Sequence, residues 1–441
     1  MKRILARRGV RAALALALTV LLCVAMNYAA FLIDTDAMRE NAAQGVALLG
    51  QEGGTPQLVA GFRSSQLDNF TAILILKTAA YAGPETLTQK AFGGLRVELA
   101  PREGQSEWSA FATYAKSEGG GLTYTRYWHG YTLPLRLLLC VLNLPNLQMA
   151  LLLVSLLLAF AVLAGCARRA PGALPGMIAG WFLLMPVACG VCLQYVPVTL
   201  LALGACLLLL HADDRVERAV GMPGLFALLG LLTNYFDLLT FPLVTLGFPL
   251  ALLLCLRMER DEGLRALLYT TVACGMAWAL GYAGMWMLKW AFVAGVFGAD
   301  RLAGIFEQAA LRVSSASNGE AFSRLSALRL NLRVILDKAA YLLVLLLALA
   351  ASLALALRRA LRGGRGLRPQ PGVLALMLLA AVPVLWCLAM ANHAYDHAFF
   401  TYRNLTVSFL AALCACGYAT GDKRPCRAQG SESIHSGGVR S

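Results

Sequence analysis

Charged residues are scarce in this chain of 441 residues. Asp, Glu, Lys and Arg together make up 14% of it, whereas a soluble globular protein carries about 25%. Hydrophobic residues make up 59%. This composition excludes an ordinary soluble domain and predicts an all-α integral membrane protein. The net charge of +14 comes from short basic groups between apolar runs, a pattern typical of cytoplasmic loops, so no nucleic-acid partner is expected.

Several chemical signatures are also missing. The long polar stretch from 34 to 131 contains no cysteine, which excludes a disulfide framework there. Most of the twelve cysteines lie inside apolar runs, where cysteine behaves as a small hydrophobic residue. The chain has no Walker loop, no dinucleotide-binding glycine fingerprint and no Gly-x-Ser-x-Gly elbow. Any reaction must therefore rest on other residues.

The apolar runs predict about ten transmembrane helices, with a range of nine to eleven. The first run, 12–33, has 22 residues and is long enough to cross a hydrocarbon core of about 30 Å. We interpret it as a membrane anchor and not as a cleaved signal peptide. The other runs cover 147–167, 173–190, 197–210, 225–239, 241–256, 266–288, 339–357, 373–390 and 405–418.

Polar stretches divide the chain into six predicted segments. They are a cytoplasmic N-terminus with the first transmembrane helix (1–33), a large extracytoplasmic loop with an interfacial helix (34–146), transmembrane helices 2–7 (147–297), a second extracytoplasmic loop (298–338), transmembrane helices 8–10 (339–420) and a disordered cytoplasmic tail (421–441).

The distribution of basic residues predicts the orientation in the cell membrane. Lys and Arg concentrate in alternate connections, which places both termini in the cytoplasm and residues 34–131 outside. The second loop, 298–338, breaks the pattern because it holds six basic residues. It is either a solvated interfacial helix or a basic surface for lipid phosphates.

Three carboxylates in the first loop are candidate general bases, because a positioned carboxylate can take the proton of an acceptor hydroxyl. Asp34 and Asp36 directly follow the first apolar run, so they could equally be charges at the membrane border. Asp68 precedes the apolar run 72–76 and could equally be a helix N-cap.

Aromatic and basic residues close the first loop. Arg126, Tyr127, Trp128 and His129 form either an aromatic belt at the membrane interface or one wall of a substrate pocket. Asp237, in a later connection on the same predicted side, is a weaker candidate for the same pocket.

Basic residues between later runs are candidates for binding a phosphate. The segment 392–403 contains His393, His397 and Arg403. Lys289 either joins them or extends to the membrane surface. The two histidines and Asp396 would share a helix face, but no fourth metal ligand is evident. We therefore assign no metal site, and a divalent metal ion is the one cofactor considered.

The layout resembles the GT-C superfamily of integral membrane glycosyltransferases. The likeness rests on a first span followed at once by a large acidic loop, on the loop exit Tyr-Trp-His-Gly-Tyr-Thr-Leu-Pro-Leu-Arg at 127–136, and on a second span that ends in Ala-Arg-Arg. The block 127–169 is similar to the corresponding block of polyprenyl-phosphate-sugar transferases. The usual Asp-Glu pair of that family is absent, so Asp34 with Asp36, or Asp68, would take its place.

The resemblance implies transfer of a sugar, with inversion, from a polyprenyl-phosphate donor to an acceptor glycan, lipid or protein on the outer face. Asp68 is then the preferred base over Asp34 and Asp36, and Arg403, His397 or Lys289 stabilises the departing lipid phosphate. The competing hypotheses are a multispan transporter or lipid flippase, and a non-catalytic membrane scaffold. Convergence of the acidic and basic loop residues in space would favour the enzyme.

Overall fold

The computed structural model describes residues 2–116, 120–362, 370 and 372–420. Regular structure in this part is almost entirely helical, with one two-stranded antiparallel hairpin, β1 (Ala316–Ser317) and β2 (Glu320–Ala321). The predicted disordered tail, 421–441, lies outside the described residues.

The described residues up to 219 form ten α-helices. They are α1 (Lys2–Ala30), α2 (Asp36–Glu52), α3 (Asn69–Ala79), α4 (Leu87–Gly93), α5 (Glu107–Phe111), α6 (Thr132–Leu139), α7 (Leu144–Arg169), α8 (Leu174–Leu183), α9 (Pro186–Val191) and α10 (Val196–Ala219).

The described part of the chain after residue 219 forms ten more. They are α11 (Gly221–Phe236), α12 (Leu243–Met258), α13 (Leu264–Phe297), α14 (Arg301–Val313), α15 (Arg324–Leu336), α16 (Ala339–Arg362), α17 (Gly372–Ala389), α18 (Ala391–Asp396), α19 (Ala398–Thr401) and α20 (Thr406–Gly417). Single 3-10 turns lie at Arg63–Ser65, Pro171–Ala173 and Tyr402–Leu405.

Seven helical stretches in the described part are long and apolar enough to cross a membrane, judged by length and composition. They are Arg8–Ala30, Leu144–Arg169, Val196–Ala219, Leu264–Phe297, Ala339–Leu361, Gly372–Ala389 and Ala398–Gly417. The chain is thus an all-α protein of membrane type.

The three remaining predicted spans form shorter helices. α11 and α12 have 16 residues each, which at 1.5 Å per residue gives about 24 Å. The predicted span 173–190 divides into α8 and α9, because Met185 has a positive φ of 59° and Pro186 then opens the next helix. The total of ten crossings stays a prediction.

Helix α12 lies at the centre of the bundle. It is buried at every position except Arg257, and it packs against α10, α11, α17 and α20. A helix that is apolar on all sides must be covered on all sides. Beside it, α11 and α13 approach closely because Gly230 and Gly281 leave room for the backbone of the facing helix.

The described residues of 34–131 fold into a cap of short helices over one end of the bundle. We call this end of the bundle the loop end. Its core joins Met38, Val46 and Leu49 of α2 to Ile73 and Leu76 of α3. The predicted interfacial segment forms α6, which packs on α1, α2 and α3 and ties the cap to the first span.

The predicted cytoplasmic segments meet at the opposite end. Glu217 on α10 pairs with Arg8 at 3.0 Å and with Arg257 at 3.6 Å, and Asp213 pairs with Arg169 at 3.4 Å. The prediction that these segments share one side agrees with this convergence. Which side of the membrane they face stays a prediction.

Candidate functional site

A polar cavity of about 240 Å³ lies at the loop end, beside the end of α1. The loop between α1 and α2, the first turn of α2, the end of α3 and the segment after α5 all contribute to its wall. Its polar lining residues are Asp34, Arg39, Lys77, Tyr81, Tyr114 and Lys116.

Local signals in the sequence position the first wall. Helix α1 ends at Ala30, and Thr35 caps α2 by accepting a hydrogen bond from the backbone N–H of Met38 at 3.2 Å. Asp34 therefore sits just before the cap, and Arg39 follows in the first turn of α2. The two side chains form an ion pair.

Arg39 also binds Asp36 at 2.5 Å, and this hydrogen bond lowers the pKa of the Asp36 carboxyl. The Asp36 side chain is 93% exposed and does not line the cavity. The Asp34 side chain is 48% exposed and does line it. The structure thus separates the two neighbouring candidates, and Asp34 is the one that faces the cavity.

Lys77 brings a second cation to the cavity from the last turn of α3. Lys77 is 3% exposed. Its ammonium group donates to the backbone carbonyl of Phe111 and lies 5.0 Å from the centre of the Phe111 ring. Burial lowers the pKa of Lys77 to about 8. The group is therefore charged at neutral pH but titrates close to it.

Arg136 on α6 supports the cavity from behind. It is 1% exposed and donates to the carbonyls of Ile33, at 2.9 Å, and Tyr81, at 3.4 Å. Burial lowers its pKa to about 10, and the nearby charge of Asp34, 4.0 Å away, opposes that shift. Together with Arg39, Lys77 and the exposed Lys116, Arg136 makes cations more numerous than carboxylates around this cavity. Such an arrangement is suited to an anionic ligand.

Asp68, the preferred base in the sequence analysis, lies outside this cavity and caps α3. One carboxylate oxygen accepts from the backbone N–H of Thr71 at 2.8 Å. The other accepts from the Thr71 hydroxyl at 2.9 Å and from Gln194 Nε2 at 2.6 Å. Burial raises the pKa of this carboxyl. Of the two roles left open, this geometry favours the N-cap.

Arg403 is fully buried inside the bundle. Its guanidinium donates to the backbone carbonyls of Leu184 at 2.9 Å, Phe399 at 3.1 Å and Ser64 at 2.9 Å, and it lies 4.5 Å from the centre of the Tyr195 ring. Each nitrogen thus has a protein partner. In this conformation Arg403 joins the cap to the bundle, and its complete burial leaves it inaccessible to a lipid phosphate.

Lys289 and Trp128 form a second buried connection between cap and bundle. Lys289 donates to the carbonyl of Phe92 at 2.7 Å and faces the Trp128 ring at 5.6 Å. The Trp128 indole donates to the carbonyl of Met285 at 2.9 Å. Both side chains are 1% exposed, so neither forms an open pocket wall.

His129 is buried next to this connection with a positive φ of 57°. Its Nε2 donates to the carbonyl of Tyr124 at 2.8 Å, so Nδ1 accepts from the Tyr131 hydroxyl at 2.7 Å. The pKa of His129 is lowered to about 3, mainly by burial and to a smaller extent by the charge of Lys289. The imidazole is thus neutral and fixed in one tautomer.

The two predicted histidines lie beside Arg312 of α14, which the sequence analysis did not single out. Arg312 donates to His397 Nε2 at 3.0 Å, and the rings of His397 and His393 are 4.9 Å apart. Tyr127 is buried, and this burial raises the pKa of its phenol. Arg126 lies over the Tyr124 ring, 5.5 Å from its centre.

Asp237 is fixed within its own turn. Its carboxylate accepts from the backbone N–H of Thr240 at 3.0 and 3.1 Å and from the Thr240 hydroxyl at 2.5 Å. Burial raises its pKa to about 6. No group of three His, Cys, Asp or Glu side chains in the described part of the chain is placed to hold a metal ion.

Lys77 and Arg39 carried signals that could have revealed them. Lys77 directly follows the apolar run 72–76, and Arg39 stands three residues after Asp36. The cations predicted from the sequence to bind a phosphate, by contrast, all lie between later apolar runs.

No family model matches the chain, and neither a curated protein nor a solved structure matches it.

Proposed function

We propose that this protein is a membrane glycosyltransferase that transfers a sugar from a polyprenyl-phosphate donor to an acceptor hydroxyl in the cavity at the loop end. The observation that carries the proposal is the convergence of one accessible carboxylate, Asp34, with Arg39, Lys77 and Lys116 beside the end of the first spanning helix. A concave site with a small number of convergent polar groups is typical of a ligand pocket.

Asp34 is the base in this proposal. Its side chain pairs with Arg39 and is 48% exposed, so it is accessible to an incoming hydroxyl. The carboxylate takes the hydroxyl proton while the oxygen attacks the anomeric carbon. The bond from that carbon to the phosphate oxygen breaks on the opposite face, so the configuration inverts and the phosphate leaves with the electron pair.

The cations act on that leaving group. Negative charge grows on the phosphate oxygen as its bond to the sugar breaks, and fixed cations stabilise such charge most effectively in a site that excludes water. Lys77 and Arg39 line the cavity, and buried Arg136 adds its charge from behind. Lys77 and Arg39 thus replace Arg403 and Lys289 in the role that the resemblance implied.

An apolar groove of about 410 Å³ supports a donor with a lipid chain. Helices α3, α6, α7 and α10 form it, with residues such as Leu147 and Leu200 along its wall. Helix α3 serves both sites, because it places Ile75 in the groove and Lys77 at the cavity, and α6 places Leu135 in the groove. A phosphate in the cavity could thus continue into an isoprenoid chain in the groove.

The proposal includes the finer topology. The chain crosses the membrane about ten times, with α11 and α12 as short elements enclosed by other helices and the 171–191 segment as a broken crossing. Both termini are cytoplasmic, and the cavity opens on the extracytoplasmic side. The Lys and Arg residues that concentrate in alternate connections between spans support this orientation.

The test uses the protein in lipid nanodiscs with a panel of polyprenyl-phosphate hexoses. Release of polyprenyl phosphate, measured by mass spectrometry, reports transfer to an acceptor or to water. We expect Asp34→Asn to lower the rate by about 100-fold or more, in the range found for loss of a general base. Asp36→Asn is the matched control and should keep most of the rate, because Asp36 lies outside the cavity.

Two results would contradict the proposal. Full activity of Asp34→Asn would remove the assigned base. Absence of release from every donor of the panel by the wild-type protein would place the transporter and scaffold hypotheses ahead of the transferase.

A further inference from the structure

A second apolar groove, of about 530 Å³, lies between α8 and α16. Helix α8 contributes Leu174, Pro175 and Ile178, and α16 contributes one face from Val344 to Arg358. Every lining residue except Arg358 is apolar. We call this site the α8–α16 groove. It shares no residue with the Asp34 cavity or with the apolar groove proposed for the donor chain.

The contacts of α16 show which end of the groove carries the arginine. Tyr341, near the start of α16, donates to the hydroxyl of Ser64 in the first loop at 2.7 Å. Further along, Ala348 packs in one cluster with Ala179 of α8. Helix α16 thus starts at the loop end and runs away from it, so Arg358 lies at the opposite end of the bundle.

Helix lengths and small side chains explain why the groove is open. Helix α8 has 10 residues, about 15 Å, whereas α16 has 24 residues, about 36 Å. Helix α8 therefore covers less than half of α16. On the uncovered face, Ala351 and Ala354 add no side-chain atom beyond Cβ, which leaves space between the two helices.

The groove faces the surroundings of the bundle. Leu347 is 62% exposed and Ile178 is 45% exposed, although both line the groove. The stretch Ala339–Leu361 is long and apolar enough to cross a membrane, so lipid chains surround it there. An apolar space left empty forfeits the dispersion contacts of its walls, and a lipid chain that fills it restores them.

Arg358 gives the groove one charged end. It is exposed and forms no ion pair with a carboxylate in the part of the chain that the structure describes. The neighbouring Arg359 differs, because it pairs with Glu259 at 2.5 Å and lies 4.3 Å from the centre of the Tyr418 ring. A guanidinium can bind two oxygens of one phosphate side by side, so Arg358 is suited to a lipid phosphate.

The length of the groove suits one lipid chain. From Val344 to Arg358 the helix rises about 21 Å, at 1.5 Å per residue. One leaflet contributes half of a hydrocarbon core of about 30 Å. A chain that starts from a phosphate at Arg358 can therefore follow the groove through its whole leaflet. Because this end is opposite the Asp34 cavity, the lipid belongs to the other leaflet from the proposed donor.

We propose that the α8–α16 groove is a binding site for an anionic phospholipid. The phosphate binds Arg358, and one acyl chain lies in the groove along Ala351 and Ala354. An anionic headgroup is preferred to a zwitterionic one because the charge of Arg358 attracts net negative charge. This site does not rest on the transferase activity of the Asp34 cavity.

The experiment is native mass spectrometry of the full chain released from nanodiscs with equal amounts of phosphatidylglycerol and phosphatidylcholine. We expect the wild type to retain one phosphatidylglycerol with a preference of about fivefold, which corresponds to about 1 kcal/mol for one basic residue at an anionic surface. Arg358→Gln should lose this preference, and Arg358→Lys should keep it. Arg218→Gln is the matched control, because Arg218 is an exposed arginine in the last turn of α10 and does not line the groove.

A second pair of variants tests the acyl chain. Ala351→Trp places an indole in the groove and should lower the retention of both lipids by about tenfold or more. Displacement of two buried CH₂ groups, at about 0.8 kcal/mol each, already corresponds to that change. Ala350→Trp is the control, because Ala350 is exposed on the same helix and does not line the groove.

Each other outcome overturns the proposal. Equal retention of the two lipids by the wild type, or a preference that survives in Arg358→Gln, would remove Arg358 as the phosphate ligand. A preference lost equally in Arg218→Gln would show general attraction to the surface. Unchanged retention in Ala351→Trp would place the lipid outside the groove. A wild-type dimer that Ala351→Trp dissociates would make a second copy of the chain the occupant.

Discussion

Raising the pH through 8 should remove the charge of Lys77 and weaken binding of a polyprenyl-phosphate sugar in the cavity. An exposed lysine keeps its proton to about pH 10.4. Burial at the end of α3 lowers the pKa of Lys77 to about 8. At pH 7 the side chain is therefore mostly charged, and at pH 9.5 it is mostly neutral. The donor is a phosphodiester, which carries one negative charge throughout this range.

The size of the effect follows from the contact that is lost. A hydrogen bond to a charged group contributes about 1.5–3 kcal/mol, which corresponds to about a 10- to 100-fold change in the dissociation constant. The protonated form binds better, so affinity is constant below the pKa and falls as pH rises through it. We expect a fall of about tenfold per pH unit above pH 8, ending in a plateau once the contact is lost.

The assay is equilibrium binding of polyprenyl-phosphate glucose to the protein in nanodiscs between pH 6.5 and 10. Lys77→Met should bind weakly at pH 7 and show no further fall. Lys77→Arg should bind at all these pH values, because a guanidinium keeps its proton above pH 12. If wild type and Lys77→Met share one profile, or if Lys77→Arg weakens as the wild type does, Lys77 does not hold the phosphate.

Three further predictions concern the supports of the site. Asp68→Ala removes the cap of α3 and leaves the amide of Gln194 without its partner, so thermal unfolding should show a loss of about 1–3 kcal/mol while donor affinity is unchanged; unchanged stability would contradict the capping role. Arg403→Lys keeps the charge but cannot reach three carbonyls, so we expect a loss of about 2 kcal/mol or more in denaturant unfolding; full stability would show that the charge alone suffices. Gly281→Ala drives a methyl group into a backbone carbonyl of α11 and should destabilise the bundle by about 1–3 kcal/mol, whereas Gly284→Ala, with no atom within 4 Å, should not.

Composition alone predicted the membrane class, because a chain with so few charges cannot cover a soluble surface. The long apolar runs became long helices for the same reason. The shorter apolar runs do not by themselves establish a membrane crossing. α11 and α12 are apolar because other helices enclose them, and apolarity reports burial in protein as well as in lipid. The break at Met185 depends on a backbone conformation that a hydropathy run does not record.

The candidate site was predictable only in part. Asp34 could be found because it follows the first span, and it does line the cavity. Asp68 and Arg403 attracted interest as polar residues in apolar surroundings. Sequence does not distinguish a buried polar group that is satisfied by the protein from one that awaits a ligand. The contact of Arg312 with His397 joins segments far apart in the chain, which no local pattern contains.

The buried polar residues still bear on function through the position of the cap. Arg403 and Lys289 donate from the bundle to the carbonyls of Ser64 and Phe92 in the first loop, and the Trp128 indole donates in the other direction. Breaking such a bond in a low-dielectric interior leaves a buried polar group unpaired, so the cap resists sliding over the bundle. Cations stabilise a developing charge without reorganisation only if their positions are fixed in advance. The connections that hold the cap therefore favour a cavity that keeps one shape, as the proposed transfer requires.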